Sequence, residues 1–195
     1  RALATFESAA MGVLPDAAFH RARLLRASGR PASALLALQI PVAGANRVDA
    51  QALQVRLLIE TGKPGEARAV AEASLRSRPD DYVLLGALVA ACAAEMDREG
   101  MLAAVDRMAG LDDEARARTR ARSLAGIGDL DGALLALRSS GLDHMDTWIL
   151  GGALLGQAGR RPEAVVWMQR AVDRFPRAAN LRAAIGMTLS ADGQD

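Results

Sequence analysis

Residues Trp148 to Pro176 read WILGGALLGQAGRRPEAVVWMQRAVDRFP, and the order of small, apolar and helix-breaking residues in them decides the fold. Trp148 opens an apolar run, and Gly152 follows four residues on, one helical turn up the same face. Leu155 continues the run until Gly159-Arg160-Arg161-Pro162 interrupts it. Glycine has no Cβ and takes up the left-handed conformation that ends a helix. Proline suits the first turn of the next helix, where its missing N–H has no partner to lose. Ala164, Met168 and Ala171 then recur at helical spacing, and Pro176 closes the unit because it cannot continue a helix. A glycine stop followed by a proline start, flanked by two apolar stripes, spells a helical hairpin. Antiparallel helices approach closely only where small residues meet, and Gly152 and Ala164 are expected to be those residues.

The break recurs along the chain as Gly29-Arg30-Pro31, Gly62-Lys63-Pro64 and Gly128-Asp129-Leu130. Gly29 and Gly62 are 33 residues apart, Gly62 and Gly128 are 66, Gly128 and Gly159 are 31, and Gly159 and Gly193 are 34. A small residue lies five positions past the glycine in four units: Ala34, Ala67, Ala133 and Ala164. The pentapeptide from Ala34 to Leu38 returns unchanged from Ala133 to Leu137. One unit is irregular, with Met96 where glycine is expected and Met101 where alanine is expected, although Val89, Val105 and Met108 keep the apolar stripe. This irregular third unit is expected to be the soft point of the array. Asp80 and Asp81 supply the cap and first-turn acids that begin it. Pro41 cuts the second helix of the first unit short, leaving a connector from Pro41 to Asn46.

This pattern resembles the tetratricopeptide repeat (TPR), in which Trp, a Leu-Gly pair, an aromatic, Ala, an aromatic and Pro stand at fixed offsets. The resemblance spans about residues 15 to 193 and is strongest in the unit quoted above. It implies an all-α, right-handed superhelical solenoid of stacked antiparallel helix pairs, forming a single domain over residues 1–195. The expected organisation is a leading helix (1–14), repeats at 15–47, 48–81, 82–113, 114–144 and 145–178, and a partial sixth repeat (179–195). Ankyrin repeats have a similar length but carry a Thr-Pro-Leu-His signature that this sequence lacks.

Composition agrees with packed helices. Apolar residues make up 51% of the chain while aromatics make up 3%, and much of the apolar content is alanine, which favours helices over sheets. Basic and acidic residues nearly cancel, 24 against 23, so no global field draws the chain to nucleic acid or to a membrane surface. No uninterrupted apolar run reaches the ~18 residues of a membrane span. Cys92 is the one cysteine, which excludes an internal disulfide. The chain begins at Arg1 and stops at Asp195 in mid-unit, so a longer parent chain is expected. The expected compartment is the cytoplasm, with the periplasm as the alternative if a signal segment was removed.

The residues give catalysis little footing, and the chain is expected to be non-enzymatic, without cofactor or metal. His20 and His144 fall in separate units. Leu142-Asp143-His144-Met145-Asp146 reads as a loop leading into a helix with acidic caps, since a metal centre needs three or four converging ligands. Cys92, among Ala and Val, reads as a buried structural thiol. Trp148 and Trp167 read as core.

What remains is surface. By the resemblance, the first helix of each pair lines a concave groove, and set positions of each unit point into it. Those positions hold Asp16, Phe19, Arg23 and Arg26 in the first unit, Asp49, Ala52, Arg56 and Ile59 in the second, Val83, Gly86, Ala90 and Ala93 in the third, Ala115, Arg118, Arg122 and Ala125 in the fourth, and Asp146, Ile149, Ala153 and Gly156 in the fifth. Phe19, Arg23, Arg26, Arg56, Arg118 and Arg122 are the expected partner-binding residues, with arginine at one shared position in three units. The alternative, a merely solvated arginine face, stays open. The carboxylate clamp of the chaperone-tail-binding members is not carried over, because Phe19, Arg23, Leu53, Val83 and Ala87 occupy its positions. The resemblance implies a protein–protein interaction scaffold that takes a peptide or protein segment, and the arginines of the groove would suit acidic groups on it. Alternatives are the regulatory or substrate-presenting arm of a larger enzyme of glycosyltransferase, sulfotransferase or hydroxylase type, and a periplasmic export scaffold. Leu181, Ile185 and Leu189 share one face of the last helix, and weak self-association is expected through it.

Overall fold

The computed structural model describes residues 16–42 and 44–178, and every regular element among them is helical. The helices are α1 (Ala17–Ala27), α2 (Pro31–Ala37), α3 (Arg47–Glu60), α4 (Pro64–Ser77), α5 (Tyr82–Ala94), α6 (Arg98–Asp106), α7 (Asp113–Gly126), α8 (Leu130–Arg138), α9 (Met145–Gln157) and α10 (Arg161–Arg174). A single 3-10 turn, Gly44–Asn46, precedes α3. The expected leading helix and the face of Leu181, Ile185 and Leu189 lie outside the described residues.

The chain gathers into two compact units, Arg1–Ala109 and Gly110–Asp195. In the first unit α1 pairs with α2, α3 with α4 and α5 with α6 as antiparallel hairpins, and α3 also lies against α1 and α5. In the second, α7 pairs with α8 and α9 with α10, and α9 also meets α7 and α8. First helices therefore stack on first helices within each unit.

The breaks between paired helices follow from backbone sterics. Gly29, Gly62, Gly128 and Gly159 have φ of 72°, 77°, 85° and 68°, the left-handed region that L-residues avoid. Pro31 and Pro64 are the first residues of α2 and α4, and Pro162 is the second of α10. In the third hairpin Met96 occupies the glycine position and still adopts φ 60°, so the turn geometry is kept without the residue suited to it. Ala34, Ala67, Ala133 and Ala164, five residues past the glycines, are completely buried. Asp81, Asp97, Asp112 and Asp129 cap α5, α6, α7 and α8 by accepting hydrogen bonds from first-turn N–H groups.

The third hairpin is irregular in sequence but not loosely packed. Leu84, Leu85, Met101 and Val105 are completely buried, and Cys92 is buried beside them. Burial pushes the Cys92 thiol above its ordinary value of 9.0, which suits a structural role. Arg68 ties this hairpin to α4, donating to Asp97 at 2.6 Å and Glu95 at 3.2 Å while also holding Glu72 at 2.9 Å. The expectation of a soft third unit therefore finds no support in its burial.

In the fifth hairpin the close approach involves two glycines. A Cβ on Gly151 would lie 2.5 Å from the Trp167 ring, and one on Gly152 would lie 2.6 Å from Met168 Sδ. Met168, rather than Ala164, fills the space over Gly152. The Trp148 and Trp167 rings meet at 5.0 Å, with Trp167 Nε1 donating to the Trp148 carbonyl at 2.8 Å and Trp148 Nε1 to the Leu142 carbonyl at 2.9 Å. Both indole N–H groups are thus satisfied inside the core. Glu114, buried at 6% exposure, accepts from the backbone N–H groups of Asp143 and His144 and so fixes the loop into α9.

A left-handed conformation costs an L-residue roughly 1–2 kcal/mol, and Met96 is 65% exposed, with little packing to lose. Met96→Gly should therefore raise the unfolding free energy by about 1 kcal/mol, whereas Gly62→Ala should lower it by a similar amount. Urea denaturation of the two variants checks both signs.

Candidate functional site

One open groove in the first unit, about 790 Å³ in volume, is built from three successive first helices. Helix α1 contributes Phe19, Arg23, Arg26 and Ala27, and α3 contributes Asp49, Ala52, Leu53, Arg56 and Glu60. Asn46 stands just before α3, and Val83 comes from the first turn of α5. The helical period explains the set: residues three, four and seven apart share one face. On α1 that face presents Phe19, Arg23 and Arg26, and on α3 it presents Asp49, then Ala52 and Leu53, then Arg56, then Glu60.

Phe19 and Leu53 are buried and form the apolar floor, at 6% and 8% exposure. Val83 adds an exposed apolar edge. The guanidinium of Arg23 lies 5.6 Å from the centre of the Phe19 ring, within cation–π range. Arg26 is committed: its Nε and Nη2 donate to Glu60 Oε1 at 2.8 and 2.6 Å. The Glu60 hydrogen bond raises the Arg26 pKa above its ordinary value. Among the described residues Arg56 and Asp49, both exposed, make no hydrogen bond or ion pair.

The six residues expected from the sequence thus part company. Phe19, Arg23, Arg26 and Arg56 line this groove. Arg118 and Arg122 belong to the second unit, where Arg118 Nη1 donates to the buried Thr147 hydroxyl at 3.0 Å and Arg122 is exposed. Sequence reasoning missed Glu60, which neutralises Arg26. The signal was available, because Arg26 and Glu60 stand 34 residues apart, one repeat period.

Among the described residues no three His, Cys, Asp or Glu side chains form a set able to hold a metal ion. No described helix is long and apolar enough to cross a membrane. His144 is the residue before α9, with its Nε2 3.7 Å from Glu114.

The Arg26–Glu60 pair is about one-third exposed at both side chains, 37% and 33%, so solvent screens it. A double-mutant cycle of Arg26→Ala and Glu60→Ala should return a coupling of about 0.2–1 kcal/mol. A larger coupling would mean that the pair holds α1 against α3 rather than trimming the charge of the groove.

No protein-family model matches the sequence, and no curated protein matches it. Solved structures do. The chain is similar to a thermophilic TPR protein of Thermus thermophilus, TTC0263, with 17% identity and a TM-score of 0.55 over 90% of this chain and 99% of that one. It is also similar to a TPR protein from Parabacteroides merdae, with 13% identity and a TM-score of 0.63 over 96% of this chain and 77% of that one. A third likeness is to a chain in the Cut9–Hcn1 hetero-tetramer of APC/C, with 12% identity and a TM-score of 0.56 over 96% of this chain and 39% of that one. Stacked helix pairs, left-handed breaks at a 31–34-residue period and these likenesses lead to one conclusion: the chain has the tetratricopeptide-repeat fold.

Proposed function

We propose that the chain is a protein-interaction scaffold whose first-unit groove takes a peptide or protein segment through its acidic groups. The observation that carries this reading is the state of two arginines. Arg23 and Arg56 are 33 residues apart, line one groove and are exposed, and no carboxylate among the described residues pairs with either. Arg26 beside them shows how such a residue looks when it is already occupied.

Arginine presents a planar fork of donors that matches a carboxylate, and the Phe19–Leu53 floor removes water from one side of it. Hydrogen bonds to charged groups contribute about 1.5–3 kcal/mol where well paired. They contribute only ~0–1 kcal/mol on open surface. The fold supports the same reading, because stacked first helices offer an extended lining rather than an enclosed catalytic pocket. Arg122 repeats the Arg23 and Arg56 position within the second unit and carries the same exposed chemistry there.

Acidic peptides drawn from a random short-peptide library on the wild-type chain provide the probe. The double variant Arg23→Glu, Arg56→Glu should bind them at least about tenfold more weakly, with helicity unchanged. Wild-type binding should also weaken as salt rises, because the arginines stay in contact with solvent. Fluorescence anisotropy at low and high salt reads both effects, and equal affinity of the double variant would show that the arginines are only a solvated face.

A further inference from the structure

The groove is not uniformly basic, and its charges are ordered along its length. On α3, Asp49 stands in the first turn and Arg56 two turns later, with Ala52 and Leu53 between. Seven residues at helical rise place the two charges about 10 Å apart along the axis. Arg23 lies on the Arg56 side of Phe19, nearer the C-terminal ends of the paired helices. Glu60 does not disturb this order, because Arg26 neutralises it. What stays uncompensated is cationic at one end, apolar in the middle and anionic at the other, where Asn46 adds an amide.

Asp49 has a local reason to exist, since a carboxylate in a first turn is favoured by the helix dipole. That interaction leaves its oxygens free to accept, and no hydrogen bond or ion pair uses them among the described residues.

Resting on the reading above, we infer that the groove selects a dipolar segment: an acidic group for Arg23 and Arg56, an apolar side chain over Phe19 and Leu53, and a basic group for Asp49. A uniformly acidic ligand would bring a carboxylate against Asp49, and like charges set side by side oppose binding. The two ligand charges must match the ~10 Å separation. They therefore stand about three residues apart in an extended segment, or about seven in a helical one.

The test is selection of a random short-peptide library on the full wild-type chain, on Asp49→Arg and on Asp49→Asn. Asparagine keeps the size and polarity of the position, so it covers the case in which Asp49→Arg disturbs α3. Wild type should enrich peptides with an acidic and a basic residue at fixed spacing around an apolar one. Asp49→Arg should enrich peptides acidic at both places, and Asp49→Asn should lose the basic preference while its melting transition is unchanged. Peptides selected on wild type should bind Asp49→Arg at least about tenfold more weakly. If wild type and both variants enrich the same uniformly acidic peptides, the dipolar inference is overturned while the arginine groove stands. If wild type enriches nothing beyond the Arg23→Glu, Arg56→Glu variant, the groove reading itself fails and takes this inference with it.

Discussion

The close approach of two helices across a left-handed break is the constraint on which the rest depends. A reversal of direction within a few residues requires positive φ, and helices that reverse so tightly touch unless a small residue stands near the crossing. Glycine at the break and alanine five residues later satisfy both needs, and the four alanines are completely buried. The variants on this theme exchange bulk across the crossing. In the fifth hairpin Trp167 and Met168 are large, and the opposing helix gives way with Gly151 and Gly152.

Once each hairpin is closed, neighbours join through contacts one repeat apart. Within the first unit Arg26 reaches Glu60 and Arg68 reaches Asp97, at separations of 34 and 29 residues. Within the second, Glu114 reaches His144, Arg118 reaches Thr147 and Arg160 reaches Asp131, at 30, 29 and 29. Equivalent positions of successive hairpins are therefore brought side by side, which suits a stack whose stability is a sum of local terms. The groove follows from this arithmetic, because Phe19 and Ala52 hold equivalent positions on successive first helices and Val83 stands in the first turn of the next.

Much of this was legible because it depends on one-dimensional spacing. The glycine–proline breaks marked the reversals, the alanines marked the crossings, and the resemblance to the tetratricopeptide repeat implied that Phe19, Arg23, Asp49, Ala52, Arg56 and Val83 face one groove. What period does not encode is which side chain meets which across two helices. Arg26 and Arg56 read alike in sequence, yet Glu60 pairs with Arg26, while Arg56 has no partner among the described residues. Arg118 likewise shares a helix face with Arg122 but is held by Thr147. The packing of the third hairpin is not encoded in the motif spacing either. Motif residues were missing, but Leu84, Leu85, Met101 and Val105 supply burial by other means.

The central claim is a location: a segment is held on the stacked first helices of the first unit. Backbone amide chemical-shift mapping of the full chain, with a peptide enriched on wild type as ligand, tests it most directly. Perturbations centred on Arg23, Ala52, Arg56 and Val83, the lining of the groove, are expected. Perturbations confined to the exposed Leu36 and Ile40 on and just beyond α2, or to the second unit, would contradict it.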